Sequence, residues 1–336
     1  MLLYRAFIRI GFTLVILSLI GAGAGIVVLL QSKQYVFESI TFNSITAEAE
    51  PTPFPVSVDP ISRTITEDQL VDVYFFESLA GEITPRHGWW QKLVASLVGE
   101  DWYQNLASPV SRIVVIWPGE RKEEIANNIG DILRWSAEDR ERFLTLIDET
   151  EPVIAEGKFY PGQYVAHRDA SPEDIALAVT TRFEDDIINR YTTEVADKVP
   201  LEDALIIASL LDREASDFEN MREVSGVIWN RLFVEMPLQL DATLQYIRGN
   251  REDSKNWWPV PVPADKFLKS PYNTYANSGL PPGPIANPSS ESILAALNPI
   301  KTDCLFYFHH TDGSYHCSVT YAEHVQKLRS FYGQGR

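Results

Sequence analysis

Residues 200–215 read Pro200-Leu-Glu-Asp-Ala-Leu-Ile-Ile-Ala-Ser-Leu-Leu-Asp-Arg-Glu-Ala215. Proline suits a helix start, where a missing N–H costs nothing, and Glu202 and Asp203 suit the positive end of the helix dipole. Ala204, Leu205, Ile207, Ala208 and Leu211 form an apolar stripe broad enough to demand burial. Ser216-Asp217 breaks the pattern. Glu219 to Val234 then restarts it, with Met221, Val224, Val227, Ile228 and Leu232 inward. Two buried helices meeting at a polar corner predict a mainly helical domain with a cleft edge at that corner. Glu214 falls there, in the last turn of the first helix. The negative helix end raises a carboxyl's pKa, and a raised pKa is what a general acid needs near neutral pH. The competing reading of any such Glu is a solvated acid paired with Arg213 or Arg222. Asp212, Glu219 and Glu223 are read that way.

Upstream, Arg112 to Trp117 is a short apolar strand stopped by Pro118-Gly119. Glu120 to Leu133 has helical spacing at Ile125, Ile129, Ile132 and Leu133. Ser136 is an N-cap with acids in the following turn, and its helix carries Phe143, Leu144 and Ile147. Phe159 to Val165 returns to extended structure. The result is a strand–helix–helix–strand unit. A helix from Pro172 to Tyr191 links it to the core, with Ile175, Val179, Phe183 and Ile187 on one face.

Downstream come three loops: Met236-Pro-Leu-Gln239-Leu-Asp241-Ala-Thr243, Ser270-Pro-Tyr272-Asn273-Thr274-Tyr275, and Gly279-Leu-Pro-Pro-Gly-Pro-Ile-Ala-Asn-Pro288. Loops this rich in Pro, Gly and Asn form rigid, irregular walls. Tyrosine faces pack on pyranose C–H groups and amides bond hydroxyls, so such walls suit sugar. A hairpin follows, Leu305 to Phe308 with Tyr315 to Val319. Cys304, His309, His310, His316, Cys317 and His324 cluster around it but lack the paired spacing of a zinc site, so no metal is expected. A Cys304–Cys317 disulfide is chemically allowed outside the cytoplasm; two buried free thiols are the expectation.

The N-terminus sets the location. An uncharged run from Ile10 to Leu30 follows Arg5 and Arg9, long enough to span a bilayer as a helix. The run exceeds the apolar region of a cleaved signal peptide. The positive-inside rule leaves residues 1–9 in the cytoplasm and everything after Lys33 outside. Residues 31–63 read as an extracytoplasmic linker, with Pro51, Pro53 and Pro55 favouring an extended, semi-rigid spacer. Residues 64–108 read as an insertion of unknown role, with candidate helices at Glu67 to Leu79 and Trp89 to Leu106. The formal net charge of −17 argues against nucleic acid, which requires a dense Lys/Arg surface. No P-loop, dinucleotide fingerprint or Ser/Cys nucleophile motif occurs, so no cofactor is expected.

Taken together, Ala208 to Ala215, Val227-Ile-Trp-Asn230-Arg231-Leu, Pro237 to Asp241, Tyr272 to Tyr275 and Gly279 to Pro288 resemble the MltG (YceG-like) endolytic murein transglycosylases. The resemblance covers about residues 110–330. It implies an α+β fold: an N-terminal transmembrane helix (10–30), a small LysM-like βααβ subdomain (109–170), and a mainly helical catalytic domain (171–332) with a β-hairpin near its C-terminus. It implies cleavage of the MurNAc-β-1,4-GlcNAc bond of peptidoglycan without water, leaving 1,6-anhydro-MurNAc ends and limiting nascent strand length. Glu214 maps onto the catalytic acid/base. Asn230, Gln239, Asp241, Tyr272, Asn273 and Thr274 map onto groove positions. The implied location is the bacterial cytoplasmic membrane, single-pass with the catalytic domain outside, and the implied protein partners are peptidoglycan synthases. Two departures stand out. Gln239-Leu-Asp241-Ala-Thr243 lacks the family's proline, and Gly313-Ser-Tyr315-His316 replaces its Gly-His-x-Phe pattern. The alternative is an inactive, membrane-tethered peptidoglycan-binding or scaffold protein.

Overall fold

The computed structural model describes residues 51–66, 70–76, 111–251 and 256–333. The expected transmembrane helix, and the expected helix at Trp89 to Leu106, lie outside the described residues. All of the described residues belong to one unit, Pro51–Arg336. Its order is β1 (Val58–Asp59), β2 (Thr64–Ile65), α1 (Leu70–Tyr74), β3 (Ser111–Ile116), α2 (Lys122–Leu133), α3 (Ala137–Asp148), β4 (Gly162–His167), α4 (Pro172–Asp186), α5 (Thr193–Lys198), α6 (Leu201–Glu214), α7 (Phe218–Phe233), α8 (Asp241–Gly249), α9 (Ser290–Leu297), β5 (Phe306–His309), β6 (Tyr315–Ser318) and α10 (Tyr321–Tyr332).

The βααβ order is the one the periodicity predicts. β3 pairs antiparallel with β4 from Ser111↔His167 to Ile116↔Gly162. Alternate residues of β3, Arg112, Val114 and Ile116, point inward. Val114 and Ile116 meet Ile125, Ile129 and Leu133 of α2, Phe143 and Ile147 of α3, and Ile175 and Val179 of α4 in one core. Ser136 caps α3 in a reciprocal capping box: its hydroxyl accepts from the Asp139 N–H at 3.1 Å, and Asp139 accepts from the Ser136 N–H at 2.9 Å.

A second, larger core centres on α6. Every residue from Ala204 to Asp212 is buried, so α6 lies inside rather than on a surface. α7 and α9 flank it. The Trp229 indole N–H donates to the Ala296 carbonyl at 2.8 Å, satisfying the one polar atom of a buried indole. Gly226 permits the close approach of α7 to the segment after α9: a Cβ there would stand 2.3 Å from the Ile300 carbonyl oxygen.

The 51–66 segment departs from the expected spacer. Phe54 and Val58 are buried in the larger core. The Phe54 N–H donates to the Arg190 carbonyl at 3.0 Å and the Ser57 N–H to the Leu297 carbonyl at 3.1 Å. β1 and β2 close a small hairpin. The prolines remove donors from this segment, but an apolar residue between them has a place to dock, and burial outweighs the extended preference.

The cysteines also differ from expectation: Cys304 and Cys317 form a disulfide, with Cα atoms 5.8 Å apart. They lie 13 positions apart in the sequence. The hairpin folds the intervening chain back on itself, bringing within bonding reach two thiols whose spacing alone says nothing of their distance.

Candidate active site

α6 ends at Glu214 because Ala215 is extended and Asp217 begins the next helix. The Asp217 carboxylate caps α7, accepting from the Asn220 N–H at 3.0 Å. The corner places Glu214 in a cleft of about 730 Å³. One wall is the loop into α8, with Gln239, Leu240 and Asp241; the opposite wall is the hairpin, with Phe306, Tyr307 and His309.

Glu214 is held on one oxygen. The Tyr307 hydroxyl donates to its Oε2 at 2.8 Å. Burial raises the Glu214 carboxyl above its ordinary range. The Tyr307 hydrogen bond opposes this, the Asp241 carboxylate adds to it, and the Ala242 N–H and Arg213 oppose it. The negative end of α6, the cause read from the sequence, is not what dominates: desolvation is. The Ala242 N–H belongs to the first turn of α8, so the carboxyl also meets the positive end of another helix. Tyr307 itself titrates well above the usual phenol range, because of burial and then the charge of Glu214.

The walls are rigid for identifiable reasons. Gln239 sits at φ 53°, in the left-handed region, and its N–H donates to the Thr274 carbonyl at 3.0 Å. The Thr274 hydroxyl accepts from the Leu240 N–H at 3.0 Å and bonds the Thr243 hydroxyl at 2.9 Å. Asp241 accepts from the Tyr275 hydroxyl at 2.7 Å. The Lys266 ammonium lies 4.7 Å from the centre of the Tyr275 ring. Arg231 ties the two walls together beneath the cleft, donating to the carbonyls of Leu305 at 2.6 Å and Pro237 at 3.3 Å, and also to that of Leu238.

Of the residues carried over as groove residues, Gln239 and Asp241 join Glu214 in the cleft. The other four stand behind it. Asn273 is fully buried and donates to the carbonyls of Lys266 at 3.1 Å and Leu268 at 2.8 Å. Its carbonyl accepts from the Tyr275 N–H at 3.0 Å. Thr274 is buried against α8 as described. Asn230 donates to the carbonyls of Thr302 at 2.6 Å and Cys304 at 3.1 Å, anchoring the hairpin's root. Tyr272 packs on Tyr246 with ring centres 4.9 Å apart, and its hydroxyl would stand 3.2 Å from a Cβ on Gly283. Polar residue type suggested contact with sugar; the buried backbone of irregular loops claimed those side chains first.

Conversely, Tyr307, Tyr275, Lys266, His309 and His324 line the cleft and were missed. Tyr275 closes the Tyr272-Asn273-Thr274-Tyr275 stretch and could have been found there. Tyr307 carried no signal, since the strand Phe306-Tyr307-Phe308-His309 is aromatic on both faces. His309 and His324 are shifted down by burial first, so both rings are neutral near pH 7.

The third loop does something other than wall the cleft. The fully buried Asn287 accepts from the Gly157 N–H at 2.8 Å and the Phe159 N–H at 2.9 Å. It donates to the Glu120 carbonyl at 3.1 Å and to Glu156 at 2.5 Å. It is the splice between the βααβ unit and the helical core.

A sequence model of the YceG-like family matches residues 57–330. The chain belongs to the YceG-like family. Among relatives of this YceG-like chain, a protein of Bacillus subtilis named endolytic murein transglycosylase is 36% identical over 171 residues, covering 50% of this chain and 46% of that one. A protein of the same name from Streptococcus pneumoniae strain D39 is 30% identical over 152 residues, covering 45% of this chain and 27% of that one. The match spans less than half the length of either relative. The crystal structure of a YceG-like protein from Listeria monocytogenes superposes with a TM-score of 0.55 at 26% identity, covering 82% of this chain and 98% of that one.

Proposed function

We propose that this chain is an endolytic peptidoglycan lytic transglycosylase with Glu214 as its acid/base. The observation that carries the reading is Glu214 in the cleft, its carboxyl raised by burial and one oxygen engaged by Tyr307. Raising the carboxyl's proton affinity favours its acid form, which can deliver a proton to the glycosidic oxygen. The C1–O4 bond breaks and GlcNAc leaves with its O4 hydroxyl. The MurNAc C6 hydroxyl attacks C1, and its proton returns to Glu214. No water enters, and a 1,6-anhydro end forms. A second carboxylate as nucleophile, the usual device of retaining glycosidases, is not required because the substrate brings its own. The names borne by the Bacillus and Streptococcus relatives support this substrate and reaction.

Gln239 and Asp241, with Tyr275 and Lys266, offer amide, carboxylate, phenol and ammonium groups along one wall for hydroxyls, N-acetyl groups and peptide carboxylates. The βααβ unit at 109–170 is proposed as a LysM-like glycan-binding subdomain, and residues 10–30 as the single anchor in the bacterial cytoplasmic membrane. Peptidoglycan synthases are the proposed partners.

The test is digestion of purified glycan strands by the wild type and by Glu214→Gln, with product ends identified by mass spectrometry. Anhydro ends are expected from the first and none from the second. Equal turnover by both would remove Glu214 from the chemistry. Reducing ends in place of anhydro ends would make the enzyme a hydrolase. An inactive wild type that still binds strands would favour the scaffold reading.

A further inference from the structure

Glu214 has two carboxyl oxygens, and the fold treats them differently. Oε2 accepts from Tyr307, which β5 carries into the cleft from the opposite wall. The other groups facing this carboxyl are Asp241 and the Ala242 N–H from α8, Tyr275 from the loop behind it, and Arg213 from its own helix. Arg231 on α7 and Tyr315 on β6 face Tyr307. His309 follows on β5.

We propose that Tyr307 is a positioning residue that dictates which oxygen of Glu214 carries the transferable proton, reserving Oε2 as an acceptor and placing the proton on Oε1. This rests on the acid/base reading of Glu214. The carbonyl oxygen of a carboxylic acid accepts hydrogen bonds better than its hydroxyl oxygen. A phenol donating to Oε2 therefore makes Oε2 the carbonyl oxygen and Oε1 the hydroxyl.

The same bond serves the second half of the reaction. The Oε1–H bond breaks as the leaving O4 gains its proton and C1–O4 separates. Glu214 is then a carboxylate, and the Tyr307 bond becomes charge-assisted and stronger. The anion is stabilised at the stage where it must wait for the C6 hydroxyl. As O6 bonds to C1, the O6 proton passes to Oε1. Tyr307 keeps its own proton throughout, since burial and the charge of Glu214 hold the phenol far above neutral titration.

The test compares Tyr307→Phe with Tyr315→Phe in the full chain. Tyr315 shares the hairpin and packs on the Tyr307 ring, centres 6.0 Å apart, but its hydroxyl points to the Glu223 carbonyl at 3.4 Å. Tyr307→Phe is expected to lower kcat about tenfold to hundredfold, the worth of a hydrogen bond to a charged group. Its alkaline limb, where Glu214 loses its proton, should move up by about one pH unit, with KM changed less than about twofold. Tyr315→Phe should move neither kcat nor the limb. Replacing Tyr307 with 3,5-difluorotyrosine keeps the shape and strengthens the donor, so its limb should move down. That variant decides the matter if Tyr307→Phe does not fold. Wild-type kcat and limb in Tyr307→Phe, the same losses in Tyr315→Phe, or an unmoved limb in the fluorinated protein would each overturn the inference. The linkage is also read without turnover, by carboxyl ¹³C NMR titration of Glu214 assigned through Glu214→Gln. A wild type that forms no anhydro ends defeats the functional reading alone. An unchanged Glu214 titration in Tyr307→Phe defeats this one.

Discussion

Asn287→Ala removes four side-chain hydrogen bonds from the splice between the βααβ unit and the helical core. The backbone bonds of residue 287, from the Gly119 N–H and to the Glu120 carbonyl, both at 2.9 Å, survive the change. The Glu120 carbonyl thus keeps a donor, and Glu156 keeps the Lys122 N–H at 2.9 Å. The Gly157 and Phe159 N–H groups keep nothing in place of the Asn287 carbonyl, and both are buried. An unsatisfied buried polar group costs about 1–3 kcal/mol, so two cost about 2–6 kcal/mol, and the small cavity adds to this. The expected loss is about 3–5 kcal/mol, read by urea unfolding at pH 7 with tryptophan fluorescence. Asn287→Asp should recover part of it at low pH, because one oxygen can still accept from both N–H groups while the protonated oxygen faces Glu156. A loss below about 1 kcal/mol for Asn287→Ala would refute the reasoning. It would mean that the two N–H groups find other partners and that the Gly279 to Pro288 loop is not a splice.

Two more predictions concern stability. Burial pushes Glu156 up to about 8 in the folded protein from 4.5, so it is folded in as the neutral acid. Its contribution is present below the unfolded value and lost as pH rises through the folded one; between about 4.5 and 8 stability falls with pH, and Glu156→Gln, which mimics the neutral acid, should flatten that slope. A slope unchanged in the variant would assign it to other groups. Reducing the Cys304–Cys317 bond, whose cysteines lie 13 residues apart, should cost about 2–3 kcal/mol by loop-closure entropy and release the hairpin that carries Tyr307. Thiol titration of the unfolded chain should find no free thiol before reductant and two after. Activity and unfolding midpoint both indifferent to reductant would contradict the bracing role.

Helix starts were legible to within about two residues where apolar period and cap agreed, as at Ser136, whereas the helix expected to run from Pro172 to Tyr191 ends at Asp186. The position of Glu214 at the end of a buried helix followed from the same period. The 51–63 segment was misread because three alternate prolines describe a backbone preference and say nothing of Phe54, which has a pocket to fill. Asn230, Asn273 and Thr274 were misplaced because polar side chains in irregular loops satisfy backbone groups before they can serve a ligand.

Local order, the βααβ succession and the place of Glu214 were determined by the sequence itself, because helix period, strand alternation and caps act between residues a few positions apart. The partner of Glu214 was not. Tyr307 lies 93 residues away, on a strand whose two faces are equally aromatic. Only the packing of the hairpin against the α6–α7 corner decides which face meets the carboxyl. The disulfide beneath it and the walls of the cleft were decided in the same way, by contacts that no local period can encode.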